Sequence, residues 1–343
     1  MTQTASKSKR IMSGMRPTGR LHLGHYLGVL VNWLNFQDTY DSYFSIVDWH
    51  ALTTKYQSVS EIDANIREVA LDWLSVGINP EVSTIYVQSA IPEIAELHLL
   101  LSMVTPQNWV EREPTLKDMV KMLAANEEEA KEKVTYGLLG YPVLMTADIL
   151  AFKAELVPVG KDQASHLEFA RDVVRRFNHL YGVEYFEEPK PKFTNTPLLK
   201  GMDGQKMGKS FNNDIKLADS DEDTLKKIKQ AITDRSRLTR KDPGHTELCE
   251  VPWPMYGIFA EQAVQEQIKA DCESAQIGCV DCKTRLAGII NESMRPFREK
   301  RALLAKDPDA VRKILDFGNA KARKVASATL EGVRELMGLS RWY

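Results

Sequence analysis

The chain has 343 residues, 43% of them hydrophobic and 27% charged, with a formal net charge of -2. These values exclude a disordered or fibrous protein and allow a full hydrophobic core in more than one domain. The near-neutral charge excludes nucleic-acid binding by a basic field over the whole surface, so such a partner requires a local basic patch. The N-terminus has no apolar leader and no segment is long enough to span a membrane, so we expect a cytoplasmic protein without membrane contact.

A turn rich in glycine and proline opens the ordered chain. We expect residues 1–9 to be a disordered tail, and residues 13–24 form a bend before a helical run from Tyr26. Glycines let the backbone approach a ligand, and a helix N-terminus offers free N–H groups and positive potential. His22 and His25, three residues apart, can face one anion. The turn is a candidate phosphate site; a tight strand-to-helix turn that merely needs glycine is the alternative.

Strand and helix patterns alternate after this turn. Strands are predicted near 41–47, 83–89 and 156–163, and helices at 62–74 with Ser60 as the N-cap, 93–103, 140–152 and 164–181. This alternation predicts an α/β fold with a Rossmann-like doubly wound parallel sheet, which binds ligands at the carboxyl ends of its strands. The opening turn and His50 would both lie at that edge.

Three further segments contain candidate binding residues. The charged run near 108–133 predicts a helical excursion, either a solvated face or a surface for a partner such as an RNA. Asp148 is the one acid in an apolar run, so it needs a donor from the protein or from a ligand. The loop at 206–210 places two lysines around a Met-Gly pair, where they can fold over a polyphosphate or simply be solvated.

Residues 211–343 are expected to form a C-terminal all-helical domain after a catalytic domain at 10–210. Basic residues near 226–229 and 235–241 can track RNA phosphates or form a solvated face. Trp253 and Tyr256 can stack on bases or belong to the core. The last two helices are predicted at 309–317 and 319–337.

All four cysteines lie in this region. Cys249, Cys272, Cys279 and Cys282 leave 22, 6 and 2 residues between successive members. A Cys-x-x-Cys pair with two further thiols predicts a metal site, with disulfides as the alternative. Spacing alone does not separate Zn²⁺ from an iron–sulfur cluster.

The segment His22-Leu23-Gly24-His25 and the Lys206-Met207-Gly208-Lys209-Ser210 loop resemble the two signature motifs of class I aminoacyl-tRNA synthetases. From Ile11 to Gly338 the chain is similar to the tryptophanyl-tRNA synthetase family. The tyrosyl family typically carries glutamine four residues after the pocket tyrosine, where this chain has Met145. Methionine suits an indole face and lacks the polar pairing that a phenol requires, while Asp148 can accept the indole N–H.

The resemblance implies roles for many residues. The catalytic residues would be His22, His25, Lys206 and Lys209. ATP would be bound by Arg16, Pro17, Thr18, Gly24, His25, Lys117, Gly160, Lys161, Asp162, Leu198, Lys206, Met207, Gly208, Lys209 and Ser210. Tryptophan would be bound by Met12, Val47, His50, Tyr141, Met145, Asp148, Val157, Val159 and Gln163, with Tyr141 and Gln163 on the ammonium group.

The implied reaction is attack of the tryptophan carboxylate on the ATP α-phosphorus with Mg²⁺ on the phosphates, then transfer to tRNA(Trp). Two residues depart from the family pattern. Gly208 replaces the usual serine of the lysine motif, and Arg16 replaces a common glutamine. The alternatives are a tyrosine–tRNA ligase and a non-catalytic RNA-binding relative.

The resemblance also bears on the cysteines and on assembly. The cysteine spacing is similar to that of a bacterial subset with a [4Fe–4S] cluster, which favours this cluster over Zn²⁺. The family further implies a homodimer, which nothing in the sequence shows independently.

Overall fold

The computed structural model describes residues 9–123, 126–160, 164–194 and 199–339. Residues 1–8 of the expected tail lie outside this part, as do Lys161, Asp162, Gln163, Leu198 and the side chain of Ser210.

The described residues contain a sheet of five parallel strands in the order β3-β2-β1-β4-β5. The strands are β1 Arg10–Met15, β2 Asp41–Ile46, β3 Ser83–Val87, β4 Leu156–Val159 and β5 Lys190–Phe193. This is the order of a doubly wound sheet, and it confirms the predicted fold class. Strand β5 was not predicted, because its four residues are half lysine, include a proline and lack a buried pattern.

Helices connect the strands and cover both faces of the sheet. The first group is α1 Leu23–His25, α2 Val31–Thr39, α3 Asp48–Lys55, α4 Ile62–Val76, α5 Pro92–Val104, α6 Gln107–Arg112, α7 Pro114–Leu123, α8 Glu127–Lys133, α9 Tyr136–Leu139, α10 Tyr141–Ala151 and α11 Ala164–Tyr181. A π-helical stretch, Tyr26–Leu30, joins α1 to α2. The second group is α12 Asp221–Lys229, α13 Pro252–Phe259, α14 Gln262–Glu273, α15 Cys279–Ala305 and α16 Pro308–Leu336.

The predicted N-cap of α4 is wrong. Ser60 lies inside a 3₁₀ turn, Val59–Glu61, and α4 begins after Glu61 without a side-chain cap. The Ile62 N–H already donates to the Val59 carbonyl. A backbone hydrogen bond of the 3₁₀ turn therefore satisfies this N–H without a side-chain cap. The helix ends at Val76, two residues beyond the predicted end, where Gly77 adopts a left-handed φ of 112°.

The predicted break before the last helix is also wrong, since α16 runs unbroken through Gly318. A Cβ at Gly318 would lie 1.7 Å from the Ile85 carbonyl oxygen. The missing side chain therefore lets α16 pack directly on the edge strand β3. The neighbouring Asn319 Oδ1 accepts the Val87 N–H at 2.9 Å, so α16 also pairs with the edge of the sheet.

Two hydrophobic clusters flank the sheet. One cluster contains Trp33, Phe44 and Trp73 and continues into the helices after residue 220. The other lies between the sheet and the helices α5, α10, α11 and α16, and contains Met12 and Phe152. Tyr256 is fully buried in the first cluster, which settles it as a core residue rather than a base-stacking one.

Candidate functional site

The opening turn is held from two sides. The Leu23 N–H donates to the Ile215 carbonyl and the Leu217 N–H donates to the Leu21 carbonyl, both at 2.9 Å. From the other side, the Leu21 N–H donates to Asp72 Oδ2 at 2.9 Å. Backbone pairing thus fixes the peptide on either side of His22, as expected for a preorganised ligand site.

The two histidines lie against each other, with ring centroids 3.7 Å apart. Burial, the main cause, lowers the pKa of His22 to about 4 and that of His25 to about 3. Both rings are therefore neutral at pH 7 in the free protein. His25 Nδ1 accepts the His22 N–H at 3.3 Å, which leaves the His25 proton on Nε2. The pair can donate hydrogen bonds to an anion, but it does not supply two positive charges.

The lysine loop reaches the opening turn. Lys209 Nζ donates to the Gly19 carbonyl at 2.6 Å. A Cβ at Gly24 would lie 3.0 Å from the His22 ring and 3.7 Å from Met207 Cβ, so the two motifs pack closely. The structure therefore brings together two segments that the sequence separates by about 180 residues.

A buried asparagine shapes the lysine loop. Asn213 accepts the Gly208 N–H at 2.9 Å and donates to the Lys206 carbonyl at 3.2 Å and to Asp203 at 2.7 Å. The Met207 N–H donates to the Leu199 carbonyl at 3.2 Å. These hydrogen bonds hold the loop at several backbone positions. The side chain of Lys206 is exposed to solvent.

Lys209 lies among charges of both signs. Burial lowers its pKa to about 8, opposed by Asp72 and Asp214 and reinforced by Lys216 and Arg16. Asp214 is 4% exposed and its Oδ2 has no hydrogen-bond partner among the described residues. Lys209 thus remains mostly protonated at pH 7 and suits a ligand that carries negative charge.

The other candidate ATP-binding residues lie on the opening turn, after β4 or on α7. Arg16 and Thr18 are exposed on the opening turn, Pro17 is buried, and Gly160 follows the end of β4. Lys117 is exposed on α7. Within the described ranges, Lys117 forms no hydrogen bond or ion pair with the turn.

A buried polar cluster surrounds Asp148 on α10. The carboxylate is 2% exposed and accepts a hydrogen bond from His50 Nε2 at 2.9 Å. Gln88 Nε2 donates to both carboxylate oxygens, at 2.8 and 2.9 Å. Gln88 Oε1 in turn accepts the Trp49 N–H at 3.1 Å, which fixes the orientation of the amide. Asp148 therefore has protein donors, and a carboxylate has capacity for one more.

The remaining pocket candidates are mostly buried around this cluster. Met12, Val47 and Val159 are less than a tenth exposed, while Met145 and Val157 are half-buried. The Tyr141 hydroxyl donates to Glu113 Oε2 at 3.2 Å. The arrangement places apolar side chains around acids at two points, which suits an amphipathic ligand that carries N–H donors.

Sequence reasoning missed Gln88, Glu113 and Asp72. Gln88 directly follows β3, and the rule that ligand-binding side chains follow parallel strands would have found it. Asp72 lies in α4 and Glu113 lies between α6 and α7, both among ordinary charge patterns. Their burial depends on distant elements, so no local signal marks them.

The four cysteines form one cluster of free, half-buried thiols. Burial, the main cause, and the three other thiols together raise the pKa of Cys282 to about 12, while a hydrogen bond with Tyr256 opposes the rise. Arg237 Nη1 lies 3.9 Å from Cys272 Sγ and 4.0 Å from Cys279 Sγ. Among the described residues, no three His, Cys, Asp or Glu side chains are arranged to hold a metal ion. The thiols are nonetheless close enough to interact electrostatically.

Comparison with known proteins gives a consistent result. Residues 4–295 match the family described as "tRNA synthetases class I (W and Y)". The tryptophan–tRNA ligase of Aquifex aeolicus is 38% identical over 395 aligned positions, which cover 96% of this chain and 100% of that relative. The corresponding enzyme of Borreliella burgdorferi is 44% identical over 341 positions, covering 98% and 95%.

Solved structures agree with the sequence relatives. The crystal structure of Campylobacter jejuni tryptophanyl-tRNA synthetase complexed with ADP and tryptophan matches with a TM-score of 0.87 at 34% identity. The match covers 96% of this chain and 100% of that one. No helix in the described ranges is both long and apolar enough to cross a bilayer.

Proposed function

The chain belongs to the class I tRNA synthetases of the tryptophan and tyrosine family and acts as a tryptophan–tRNA ligase, and we propose how its residues divide this work. The observation that carries the proposal is the contact between the histidine turn and the lysine loop, at the sheet edge that also carries His50 and Gln88 of the Asp148 cluster. One end of this site suits a triphosphate and the other suits an indole.

The turn and the loop bind ATP. His25 and His22 donate hydrogen bonds as neutral rings, and Lys206 and Lys209 supply positive charge. Gly24 lets the backbone come close to the nucleotide. The remaining proposed ATP contacts are Arg16, Pro17, Thr18, Lys117, Gly160, Lys161, Asp162, Leu198, Met207, Gly208 and Ser210.

Tryptophan lies in the pocket around Asp148, which accepts the indole N–H through its remaining capacity. His50 and Gln88 hold this carboxylate in place, while Met12, Val47, Met145, Val157 and Val159 contact the ring. Tyr141 and Gln163 bind the ammonium group. The Glu113 carboxylate beside the Tyr141 hydroxyl adds negative charge at that end.

In the activation step, a carboxylate oxygen of tryptophan bonds to the ATP α-phosphorus and the bond to pyrophosphate breaks. The protein supplies positioning and charge stabilisation, because phosphoryl transfer needs little covalent help. Lys206 and Lys209 balance the charge that develops on the leaving group, and Mg²⁺, when bound, would supply further positive charge. The terminal tRNA hydroxyl then attacks the adenylate carbonyl and releases AMP.

We propose a division into a catalytic domain at 10–210 and a helical anticodon-binding domain at 211–343. The basic residues near 235–241 and the cysteine cluster beside them support tRNA contact in the second region. Arg237 donates to the Ile277 carbonyl at 2.9 Å, so part of this basic run is anchored and can present its neighbours to phosphates.

A homodimer is proposed through an apolar surface on α3, α5 and α9. Met103 is 67% and Tyr136 77% exposed, and Tyr56 and Leu99 are also exposed. An open cavity of about 400 Å³ lies beside them, lined by Trp49, Leu52, Thr53, Tyr56, His98, Thr135, Gly137, Gly140 and Leu144. Exposed apolar area of this kind is typical of protein interfaces.

The cysteines are proposed to bind a [4Fe–4S] cluster, with Zn²⁺ as the alternative. Four thiols together with the Arg237 cation fit a cluster of net negative charge, and the buried Arg237 Nε has no hydrogen-bond partner among the described residues. Cys279 and Cys282 lie in the first turn of α15, where the helix dipole favours thiolates. In a [4Fe–4S] cluster each of the four irons would take one of these thiols. When bound, it would cross-link α14, α15 and the segment before α13.

One assay tests this assignment. ATP–pyrophosphate exchange is measured with tryptophan and with tyrosine side by side, using the full-length protein. Exchange that depends on tryptophan supports the proposal. A preference for tyrosine would favour a tyrosine–tRNA ligase, and no exchange with either would favour a non-catalytic RNA-binding protein.

A further inference from the structure

A buried ion pair joins the C-terminal helices to the histidine turn. Asp72 on α4 has no exposed surface, and its Oδ1 accepts a hydrogen bond from Arg301 Nε at 2.8 Å. Arg301 lies on α15, and its Nη2 also donates to Glu68 at 2.6 Å. Arg20, within the turn, donates to the same Glu68 oxygen. Burial of these charges is costly unless each is paired, so loss of one partner leaves the other uncompensated.

The second oxygen of Asp72 holds the turn itself. Oδ2 accepts the N–H of Leu21, the residue directly before His22. The Leu21 carbonyl is already paired with Leu217 on the opposite side. Asp72 therefore completes the backbone hydrogen bonding of the peptide that sets the position of His22.

Asp72 also acts on the charge of the lysine loop. Burial lowers the pKa of Lys209, and the Asp72 carboxylate opposes this change. Burial likewise raises the pKa of Asp72, while the Leu21 hydrogen bond and the Arg301 cation oppose that rise. Arg301 thus helps to keep the carboxylate ionised, and the ionised carboxylate helps to keep Lys209 protonated.

We propose that Asp72 is a positioning residue for tryptophan activation and that Arg301 fixes it from α15. The carboxylate holds the turn and supports the Lys209 charge, and it makes no contact with the reacting atoms. A shift of α15 relative to α4 would therefore move the Asp72 side chain and, through it, the turn that binds ATP. The inference rests on the proposed function, since it assigns a role within that reaction.

The test compares Asp72→Asn, Arg301→Gln and Arg301→Lys with a matched control, Arg334→Gln. Arg334 on α16 pairs with Glu96 on α5, so the control removes another ion pair from the C-terminal helices without touching the turn. Tryptophan-dependent ATP–pyrophosphate exchange gives kcat and the KM values for ATP and for tryptophan. Thermal stability is measured for every variant.

We expect Asp72→Asn and Arg301→Gln to lower kcat by about 10- to 100-fold, because displacement of a positioned group has effects of this size. KM for tryptophan stays at the wild-type value, since the Asp148 pocket is not altered. Arg301→Lys recovers part of the loss because it keeps the charge. A double variant with both Asp72→Asn and Arg301→Gln is no slower than the slower of the two single variants. The control loses stability but keeps its kcat.

The inference is overturned if the Asp72 and Arg301 variants lose stability like the control and keep wild-type kcat and KM for ATP. If Asp72→Asn does not fold, the two Arg301 variants decide the question by the same comparison. Absence of tryptophan-dependent exchange in the wild type would remove the proposed function and this inference with it. Exchange by the wild type with unaltered variants would remove the inference alone.

Discussion

Lys209 Nζ donates a hydrogen bond to the Gly19 carbonyl across 190 residues of sequence. This contact closes the lysine loop onto the histidine turn in the free protein. A triphosphate entering the site would offer Lys209 a stronger, charged acceptor in place of the carbonyl. The side chain is thus held close to the position where its charge is needed.

Lys209→Ala is expected to slow tryptophan-dependent pyrophosphate exchange by about 100-fold or more, because it removes a charge that stabilises the transition state. The rate is measured at saturating ATP and tryptophan. Lys313→Ala, in the exposed part of α16, is the control and should keep the wild-type rate. An unchanged rate in Lys209→Ala would remove this lysine from the catalytic group.

The pH dependence of kcat/KM for ATP should report Lys209 in the free enzyme. The pKa of Lys209 is lowered to about 8, so the needed positive charge is lost as the pH rises through this value. His22 and His25, with pKa values of about 4 and 3, titrate well below this range and should add no change near pH 6.

Lys209→Arg tests whether Lys209 causes the decline of kcat/KM for ATP near pH 8. Arginine stays protonated to a pH above about 12, so the decline near pH 8 should disappear in this variant. If kcat/KM still declines near pH 8 in Lys209→Arg, the decline is caused by another titrating group.

Asp148→Asn is expected to raise KM for tryptophan by about 10-fold or more, because loss of a charge-assisted hydrogen bond costs about 1.5–3 kcal/mol. The new amide also presents a donor to His50 or Gln88, both of which now donate to the carboxylate. KM for ATP serves as the internal control and should stay within about twofold. Equal changes in both constants would point to general damage instead of tryptophan recognition.

Gly318→Ala should destabilise the fold by about 1–3 kcal/mol, because the new methyl group would overlap the Ile85 carbonyl oxygen. Urea unfolding measures this free energy. The matched control is Gly288→Ala in the interior of α15, where a Cβ would meet nothing within 4 Å. That change should stabilise the protein by about 0.5–1 kcal/mol. Equal effects at the two positions would contradict the packing described for α16.

Anaerobic purification should yield a coloured protein with about four iron atoms per chain. Cys282→Ser is expected to lose most of this iron, while Val280→Ala, at an exposed position in the same helical turn, keeps it. Iron analysis and the visible absorption spectrum measure both outcomes. A colourless protein with one zinc per chain would replace the cluster with the zinc alternative.

The sequence predicted local structure well where periodicity and strand ends are informative. Helix α11 was predicted with its observed bounds, and β2 and β3 were found from their apolar runs. The two ATP motifs were recognised as a pair, although only the fold brings Lys209 to Gly19. The predicted break at Gly318 was wrong, because the role of this glycine is its contact with Ile85 on a strand more than 200 residues away.

The site was harder to predict where burial depends on tertiary structure. Asp148 was found because it stands alone in an apolar run, and such a run is visible locally. Asp72 lies between ordinary helical neighbours, and its importance arises from Leu21 and Arg301, which are distant in sequence. The neutral state of His22 and His25 likewise follows from burial, which their spacing does not reveal.

The packing of α16 on β3 also has a consequence during synthesis. The ribosome makes β3 about 220 residues before α16, from Val87 to Pro308, which takes roughly 10–40 s at bacterial elongation rates. Through this interval the outer edge of β3 lacks its covering helix and can pair with strands of other nascent chains. The sheet therefore depends on a much later segment for the protection of this edge, and chains released before α16 is made should be prone to aggregation.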